Sequence, residues 1–322
     1  MRSLKSMLGS PLLMEPTVIN NQLVNFSDII TTYLAALRER ATRHLGAAPT
    51  RVVLGRPVHF VDDDAARDAQ AESSLRQAAQ AVGFTDISFQ FEPIAAALDY
   101  ERRLTRDTTV LVADIGGGTS DFTVVRLGPA LMHKTNRADD VLATTGVHIG
   151  GTDFDHKLSL GQVMPLLGYC HFGPDSREVP NRVFFDLSTW HLINWQYQPK
   201  AMAQAKALQT NYTDVRMHDR LMRVLTERYG HHMAHDVEQA KIRCSQTNAD
   251  TRIDLSYVEA NLAASLSATD LNTHLAQLLA NTVSCARDCV QRAGLTDGKP
   301  DAIYLTGGSS ALRTFQEALH TE

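Results

Sequence analysis

Residues 111–125 read "LVADIGGGTSDFTVV". An apolar run leads to Asp114 and Ile115, Gly116, Gly117 and Gly118 follow, and Thr119, Ser120 and Asp121 open a second apolar run. The β-rich runs predict two strands, and the glycines between them predict a tight turn. Glycine lets a backbone approach a ligand closely, so that successive N–H groups can converge on phosphate oxygens, and Thr119 adds a hydroxyl. Asp114 and Asp121 carry the wrong sign to bind phosphate themselves. They suit a hydrated Mg²⁺ ion held between carboxylates and phosphates, because Mg²⁺ keeps several waters and takes few protein ligands. No Gly-Lys-Ser/Thr follows, which excludes a Walker A loop. A strand follows where a dinucleotide fingerprint needs a helix. A plain glycine-rich hairpin turn is the competing reading of these residues taken alone.

Strands and helices alternate around this turn. Residues 25–46, "NFSDIITTYLAALRERATRHLG", set Ile29, Ile30, Tyr33, Leu34, Leu37 and Leu45 at helical spacing, with Ser27 to cap the start and Gly46 to end it. "TRVVLGRPV" (50–58) predicts a short buried strand. "DDDAARDAQAESSLRQAAQAVG" (62–83) predicts a second helix, with Asp62–Asp64 at its positive end and Gly83 at its stop. "DISFQF" (86–91) is a strand, and Pro93 opens a further helix. The alternation argues for an α/β lobe. Residues 156–250 lack a clean period and are rich in His, Trp, Tyr and Gln, which reads as an inserted, more helical subdomain. Residues 269–294 form a long helix with Leu271, Leu275, Leu278, Leu279, Val283 and Val290 on or near one face.

Composition narrows the function classes. The chain has 322 residues, 43 % hydrophobic and 21 % charged, enough for a substantial core and two lobes. A net charge of −5 with no Lys/Arg-rich run argues against a nucleic-acid partner. No apolar stretch approaches the roughly 18 residues of a membrane span. The opening "MRSLKSMLGSPLLMEP" lacks the continuous apolar core of a signal peptide. Cys170, Cys244, Cys285 and Cys289 form no CxxC pair, so a reduced, cytoplasmic setting is expected, with Cys285 and Cys289 as buried helix thiols.

Four further stretches carry polar chemistry, each with a plain structural alternative. "YLTGGSSALRTF" (304–315) turns at Gly307 and Gly308, and Ser309 can cap a following helix whose free N–H groups suit a phosphate or a ribose. "FQFEPIAAALDY" (89–100) puts Glu92 just before a Pro-initiated helix, to orient a water or simply to complement the helix dipole. "HDVEQAKIRCS" (235–245) spaces Glu238 and Lys241 as an i,i+3 surface pair. His231 and His235 share a helix face but lack a third zinc ligand. Trp190 and Trp195 read as core or interface residues.

The order of the motifs says more than any one of them. "FEPIAAALDY", "ADIGGGTSDF", "GVHIGGTDFD", "VEQAKIRCS" and "YLTGGSS" follow one another as in the nucleotide-binding domain of the seventy-kilodalton heat-shock chaperones, which the chain resembles along most of its length. "LSTWHLINW" and the long insert look like the YegD-type branch of that family. The resemblance implies a two-lobed actin-like ATPase (ribonuclease H-like) α/β fold that binds ATP or ADP with Mg²⁺. It implies that Gly116, Gly117, Gly118 and Thr119 contact the β/γ-phosphates, that Asp114 and Asp121 hold Mg²⁺ through water, and that Glu92 positions the attacking water. Gly150 and Gly151 match a turn across the nucleotide. Glu238, Lys241 and Ser245 match the helix beside the adenosine, and Gly307, Gly308 and Ser309 match the adenosine motif.

The chain also departs from the pattern. The adenine-stacking arginine falls at Ile242, with Arg243 one position off, a further arginine falls at Ala311, and Thr152 replaces a glutamate. The family's first Asp-x-Gly-Thr phosphate turn has no counterpart before residue 111, and only Lys5 stands near the place of its catalytic lysine. The expectation is a fragment, with a partial first lobe at 1–106, a second lobe at 107–322 and an inserted subdomain at about 154–268, impaired in ATP binding by itself. Client proteins and co-chaperones are the partners the family implies. A sugar-type kinase of the same superfamily and a non-catalytic nucleotide-sensing scaffold are the other readings.

Overall fold

The computed structural model describes residues 8, 16–19, 22–61, 64–134, 136–295 and 298–321. Lys5, Asp62 and Asp63 lie outside them. The chain divides into two compact units. One comprises Met1–Val112, Thr123–Thr144 and Leu295–Tyr304, and the other Ala113–Phe122, Thr145–Gly294 and Leu305–Glu322.

In the first unit an antiparallel hairpin, β1 (Pro16–Ile19) and β2 (Gln22–Asn25), leads into α1 (Phe26–Leu45). The start of α1 differs from expectation. Asn25 precedes the helix, its backbone N–H donates to the Asp28 carboxylate at 3.3 Å, and Ser27 already lies within the first turn. Gly46 ends the helix in the left-handed region, φ 75°, as its lack of a Cβ allows. β3 (Arg51–Arg56), α2 (Ala65–Ala81) and β4 (Asp86–Phe91) complete a parallel βαβ element, with Arg51 opposite Asp86 and Arg56 opposite Phe91. Ile30 and Leu34 of α1 bury against Ala71, Ala78 and Ala79 of α2 and against Phe84. Alanines on α2 let the helices approach closely, so only part of the apolar stripe on α1 is covered. Tyr33, Leu37 and Leu45 stay exposed. β3 is not the buried strand its apolar run suggests. Its residues alternate in exposure and Val53 is 68 % exposed, because only one face has a helix against it.

α3 (Glu92–Glu101) starts behind Phe91 with Pro93 in its first turn. β5 (Thr108–Ile115) and β6 (Ser120–Leu127) are the two strands predicted around the glycine turn, and β7 (Val141–Val147) follows. Ile94 and Ala97 of α3 bury against Val110, Val112, Val125 and Leu127.

α4 (Gly151–Leu158), α5 (Arg182–Ser188), α6 (Pro199–Ala207), α7 (Val215–Thr226) and α8 (Gly230–Thr247) make residues 151–247 predominantly helical, as the loss of alternation predicts. β8 (Thr251–Asp254) and β9 (Ala263–Leu266) pair antiparallel. α9 (Ala268–Arg292) starts at Ser267, whose hydroxyl accepts from the Asp270 N–H, and buries Leu271, Leu275, Leu279 and Val283. β10 (Ala302–Thr306) joins a four-stranded sheet of order β10–β5–β6–β7, and α10 (Arg313–Thr321) closes the described chain. Among the described residues no helix is long and apolar enough to cross a membrane. Trp195, expected in the core or at an interface, is 67 % exposed.

Candidate functional site

The turn between β5 and β6 is closed by one backbone bond, from Gly116 N–H to Thr119 O at 2.9 Å. Its carbonyls are held from behind by the start of α4. Gly151 N–H donates to Gly116 O at 3.0 Å, and Thr152 N–H to Gly117 O at 2.7 Å. The Thr152 hydroxyl donates to the same Gly117 carbonyl at 2.7 Å. The first helix donors, which need partners outside the helix, are therefore spent on the turn. No described peptide bond is cis. In a trans peptide the N–H opposes the C=O, so the N–H groups of Gly117 and Gly118 point away from α4.

The glycines in and around the turn fall into two kinds. Gly150 and Gly307 are required by the protein itself, whereas Gly151 faces a movable side chain. A Cβ on Gly150 would lie 2.6 Å from Gly118 N, one on Gly151 would collide with Ser309 Oγ, and one on Gly307 would collide with Ile115 O. Gly307 also has φ +80°, a conformation side chains disfavour. Gly117 and Gly118 are different. Neither has a positive φ, and a Cβ on either would meet no protein atom within 4 Å. Both are exposed. Nothing within the fold requires glycine at these two positions.

Both aspartates sit against glycines of neighbouring segments. A Cβ on Gly307 would lie 2.7 Å from Asp114 Oδ1, and one on Gly146 would lie 2.8 Å from Asp121 Oδ1. The Thr119 hydroxyl donates to Asp121 Oδ2 at 2.9 Å. Ser120, buried at the start of β6, donates to Ile149 O at 2.7 Å and fixes the chain just before Gly150. The Asp153 carboxylate accepts from Gly150 N–H at 2.8 Å and starts α4. The turn, Gly150–Thr152 and Gly307–Ser309 are thus brought together. Their donors, hydroxyl and carboxylates match what a phosphate with a hydrated Mg²⁺ requires.

The predicted cap at Ser309 is not what the structure has. Gly308–Ala311 form a 3₁₀ turn, Ser310 Oγ donates to Gly307 O at 2.7 Å, and α10 begins only at Arg313. The Arg313 N–H donates instead to Ser245 Oγ of α8 at 2.8 Å. Lys241 is not half of a surface pair with Glu238. It is 6 % exposed, its Nζ lies 2.8 Å from Asp155 Oδ1 of α4, and it donates to Gly151 O at 3.4 Å. Glu238 stands half-buried one turn earlier on α8. Asp155 was missed in the sequence, although "GTDFDH" shows it two residues after Asp153.

Glu92 belongs to the first unit, at the start of α3. Its side chain lies over Gly55 of β3, where a Cβ would meet Glu92 Cγ and Oε1, each at 3.2 Å. A glycine inside a strand marks such a close approach, and "VVLGR" carried that signal.

Residues 12–160 match the family model described as Hsp70 protein. The chain is 33 % identical over 140 residues to Chaperone protein DnaK of Deinococcus deserti, covering 44 % of this chain and 20 % of that protein. It is 37 % identical over 152 residues to Chaperone protein HscA of Proteus mirabilis, covering 47 % and 22 %. For Chaperone protein HscA of Pectobacterium carotovorum the identity is 34 % over 152 residues, with the same coverage. The matched stretch therefore spans about a fifth of the length of these relatives. The family match takes in Glu92, Asp114–Asp121, Gly150 and Gly151, whereas Glu238, Lys241, Ser245 and Gly307–Ser309 lie beyond it. The mixed α/β fold is of the actin-like ATPase class, and the comparisons support kinship with the Hsp70 chaperones across residues 12–160.

Proposed function

We infer that the chain is the nucleotide-binding part of an Hsp70-like chaperone ATPase, of the YegD-type branch, working in the cytoplasm. The single observation that carries this reading is the pair Gly117 and Gly118, glycines that neither backbone conformation nor packing demands. A ligand approaching the backbone accounts for them. Two adjacent N–H groups directed away from α4 suit the β- and γ-phosphates of ATP, with Thr119 beside them. Asp114 and Asp121 would hold Mg²⁺ through its water shell, which neutralises phosphate charge when bound. Gly308, where a Cβ would meet open space, and Glu238 are the proposed neighbours of the adenosine.

For Glu92 the resemblance alone implies a role in orienting the attacking water in the complete protein, where positioning and electrostatics do most of the catalysis. The division into two lobes with an inserted helical subdomain belongs to the same reading, as do client and co-chaperone partners of the complete protein. Calorimetric titration of ATP with and without Mg²⁺ tests it. The Mg²⁺-dependent gain in affinity should disappear in Asp114→Asn. An unchanged gain would remove Asp114 from the metal, and ATP binding at an unrelated surface would remove the reading altogether.

A further inference from the structure

Strand β3 ends on Arg56, whose side chain is only 13 % exposed. Its guanidinium lies over the ring of Phe60 at 5.0 Å and over the ring of Phe91 at 5.6 Å. It donates to Asp68 Oδ2 of α2 at 2.7 Å and to the Glu72 carboxylate of the same helix. It also donates to the carbonyls of Pro57 and Val58, at 3.1 and 3.2 Å. Asp68 accepts in turn from Phe60 N–H. Burial pushes the Asp68 carboxyl up, but its hydrogen bonds to Arg56 and Phe60 outweigh burial and hold it below the ordinary value, so it is charged at neutral pH. Glu72 accepts from Arg76 as well, at 3.2 Å, and Arg76 lies over Phe89 at 4.8 Å and donates to Ile87 O at 2.8 Å. Phe89 and Phe91 are two apart in β4 and so share its α2 face. Arg56 stands opposite Phe91 in the parallel pair, and neighbouring residues of a strand point to opposite faces. Arg56 and Phe91 therefore meet on the α2 face. Glu92 covers Gly55 on the other face, with its Cγ and Oε1 each 3.2 Å from the place of a Cβ.

We propose that Arg56 is a positioning residue for Glu92: it ties the end of β3 to α2 and holds the Phe91 ring, so that the next residue turns its carboxylate over Gly55. The use of that carboxylate, to orient the attacking water, rests on the reading of Glu92 above. The tie itself does not. Phe91 has a second anchor in its packing beside Ile94 and Ala97. Apolar packing is non-directional and tolerates a rotated ring. A guanidinium forked between two carboxylates and two carbonyls has a fixed plane, and a ring stacked on it takes its orientation from that plane.

The test is an NMR contact in the nucleotide-free chain, the nuclear Overhauser effect between Gly55 Hα and Glu92 Hγ. The unaltered chain should show it. Arg56→Met should lose it while Ile30 and Leu34 keep their contacts with the alanines of α2. A residue that only stabilised the unit would lower the urea midpoint and leave this contact intact in the folded molecules. Absence of the contact from the unaltered chain, or its persistence in folded Arg56→Met, would overturn the proposal. If Arg56→Met does not fold, Arg56→Lys decides, because lysine keeps a cation for Asp68 or Glu72 but offers the rings no planar face. Loss of the contact in Arg56→Lys then supports the proposal, and an unchanged contact ends it. On the Glu92 reading, Arg56→Met and Glu92→Gln should each lower kcat for ATP by about tenfold or more, with ATP·Mg²⁺ affinity within about threefold of the unaltered chain. Unimpaired turnover in Glu92→Gln would count against the water-orienting reading while leaving the contact result intact.

Discussion

Thr152 grips the carbonyl of Gly117 twice, through its backbone N–H and through its hydroxyl, both at 2.7 Å. That double contact sets the direction of the Gly117–Gly118 peptide. With the carbonyl held against α4, the Gly118 N–H faces the other way, and the Gly117 N–H does so because Gly151 holds Gly116 O. The turn is thereby held by its own protein, an order that would lower the cost of binding the proposed phosphate.

Two classes of glycine should respond oppositely to a methyl group. Gly117→Ala and Gly118→Ala meet no protein atom within 4 Å. They should change stability by less than about 1 kcal/mol and cut ATP·Mg²⁺ affinity by about tenfold or more. Gly150→Ala and Gly307→Ala press a methyl on backbone atoms and should cost about 1–3 kcal/mol or more. Urea unfolding and calorimetric titration on the four variants separate the two classes. A stability loss at Gly118 equal to that at Gly150 would refute the distinction.

The first unit has its own buried electrostatic centre. Arg137, 5 % exposed, pairs with Glu101 at 2.9 Å and with Asp140 at 2.7 Å, and both acids are fully buried. Lys134 adds a contact to Asp140 at 2.9 Å, and Glu101 also accepts from Gly128 N–H at 3.0 Å. This centre ties the 128–140 connection to the end of α3. Arg137→Met leaves two buried carboxylates without their main partner and should destabilise the protein by about 3–5 kcal/mol. Chemical denaturation measures it, and a loss under about 1 kcal/mol would show that the acids are solvated or neutral.

His156 gives a pH dependence of defined sign. Burial lowers its pKa below the ordinary 6.5, and nearby Lys157 pushes the same way, while Ser188 and Asp153 oppose. Ser188 Oγ lies 2.8 Å from His156 Nδ1. A histidine whose folded pKa is depressed contributes stability above the unfolded value, and that stability is lost as pH falls below about 6.5 toward the folded pKa. Urea midpoints at pH 7.5 and 5.5 should therefore differ less in His156→Gln than in the unaltered chain. An equal or larger difference would contradict the assignment.

Much of the fold was legible because period and punctuation agree locally. β5 and β6 fall where the apolar runs lie, Gly46 ends α1, and Ser267 starts α9. What failed depended on packing that one sequence does not display. Val53 lies in an apolar run yet on an open face, and Tyr33 and Leu37 continue a stripe wider than the partner helix covers. At the site, Asp114, Thr119 and Asp121 could be picked from residue type around glycine. The partnership of Lys241 with Asp155 could not, because it joins residues 86 apart in sequence whose helices meet only in the folded unit. Which glycines the packing demands and which face open space was equally hidden, since that depends on what surrounds each missing Cβ.

The central claim is that the N–H groups of Gly117 and Gly118 receive phosphate. The most direct measurement follows the backbone amide resonances of these two residues by NMR while ATP·Mg²⁺ is added to millimolar excess, with adenosine as the control. The account predicts saturable shifts at Gly117, Gly118 and Thr119 with ATP·Mg²⁺, and no shift at Gly117 and Gly118 with adenosine. Unmoved Gly117 and Gly118 resonances while ATP·Mg²⁺ shifts other parts of the chain would contradict it.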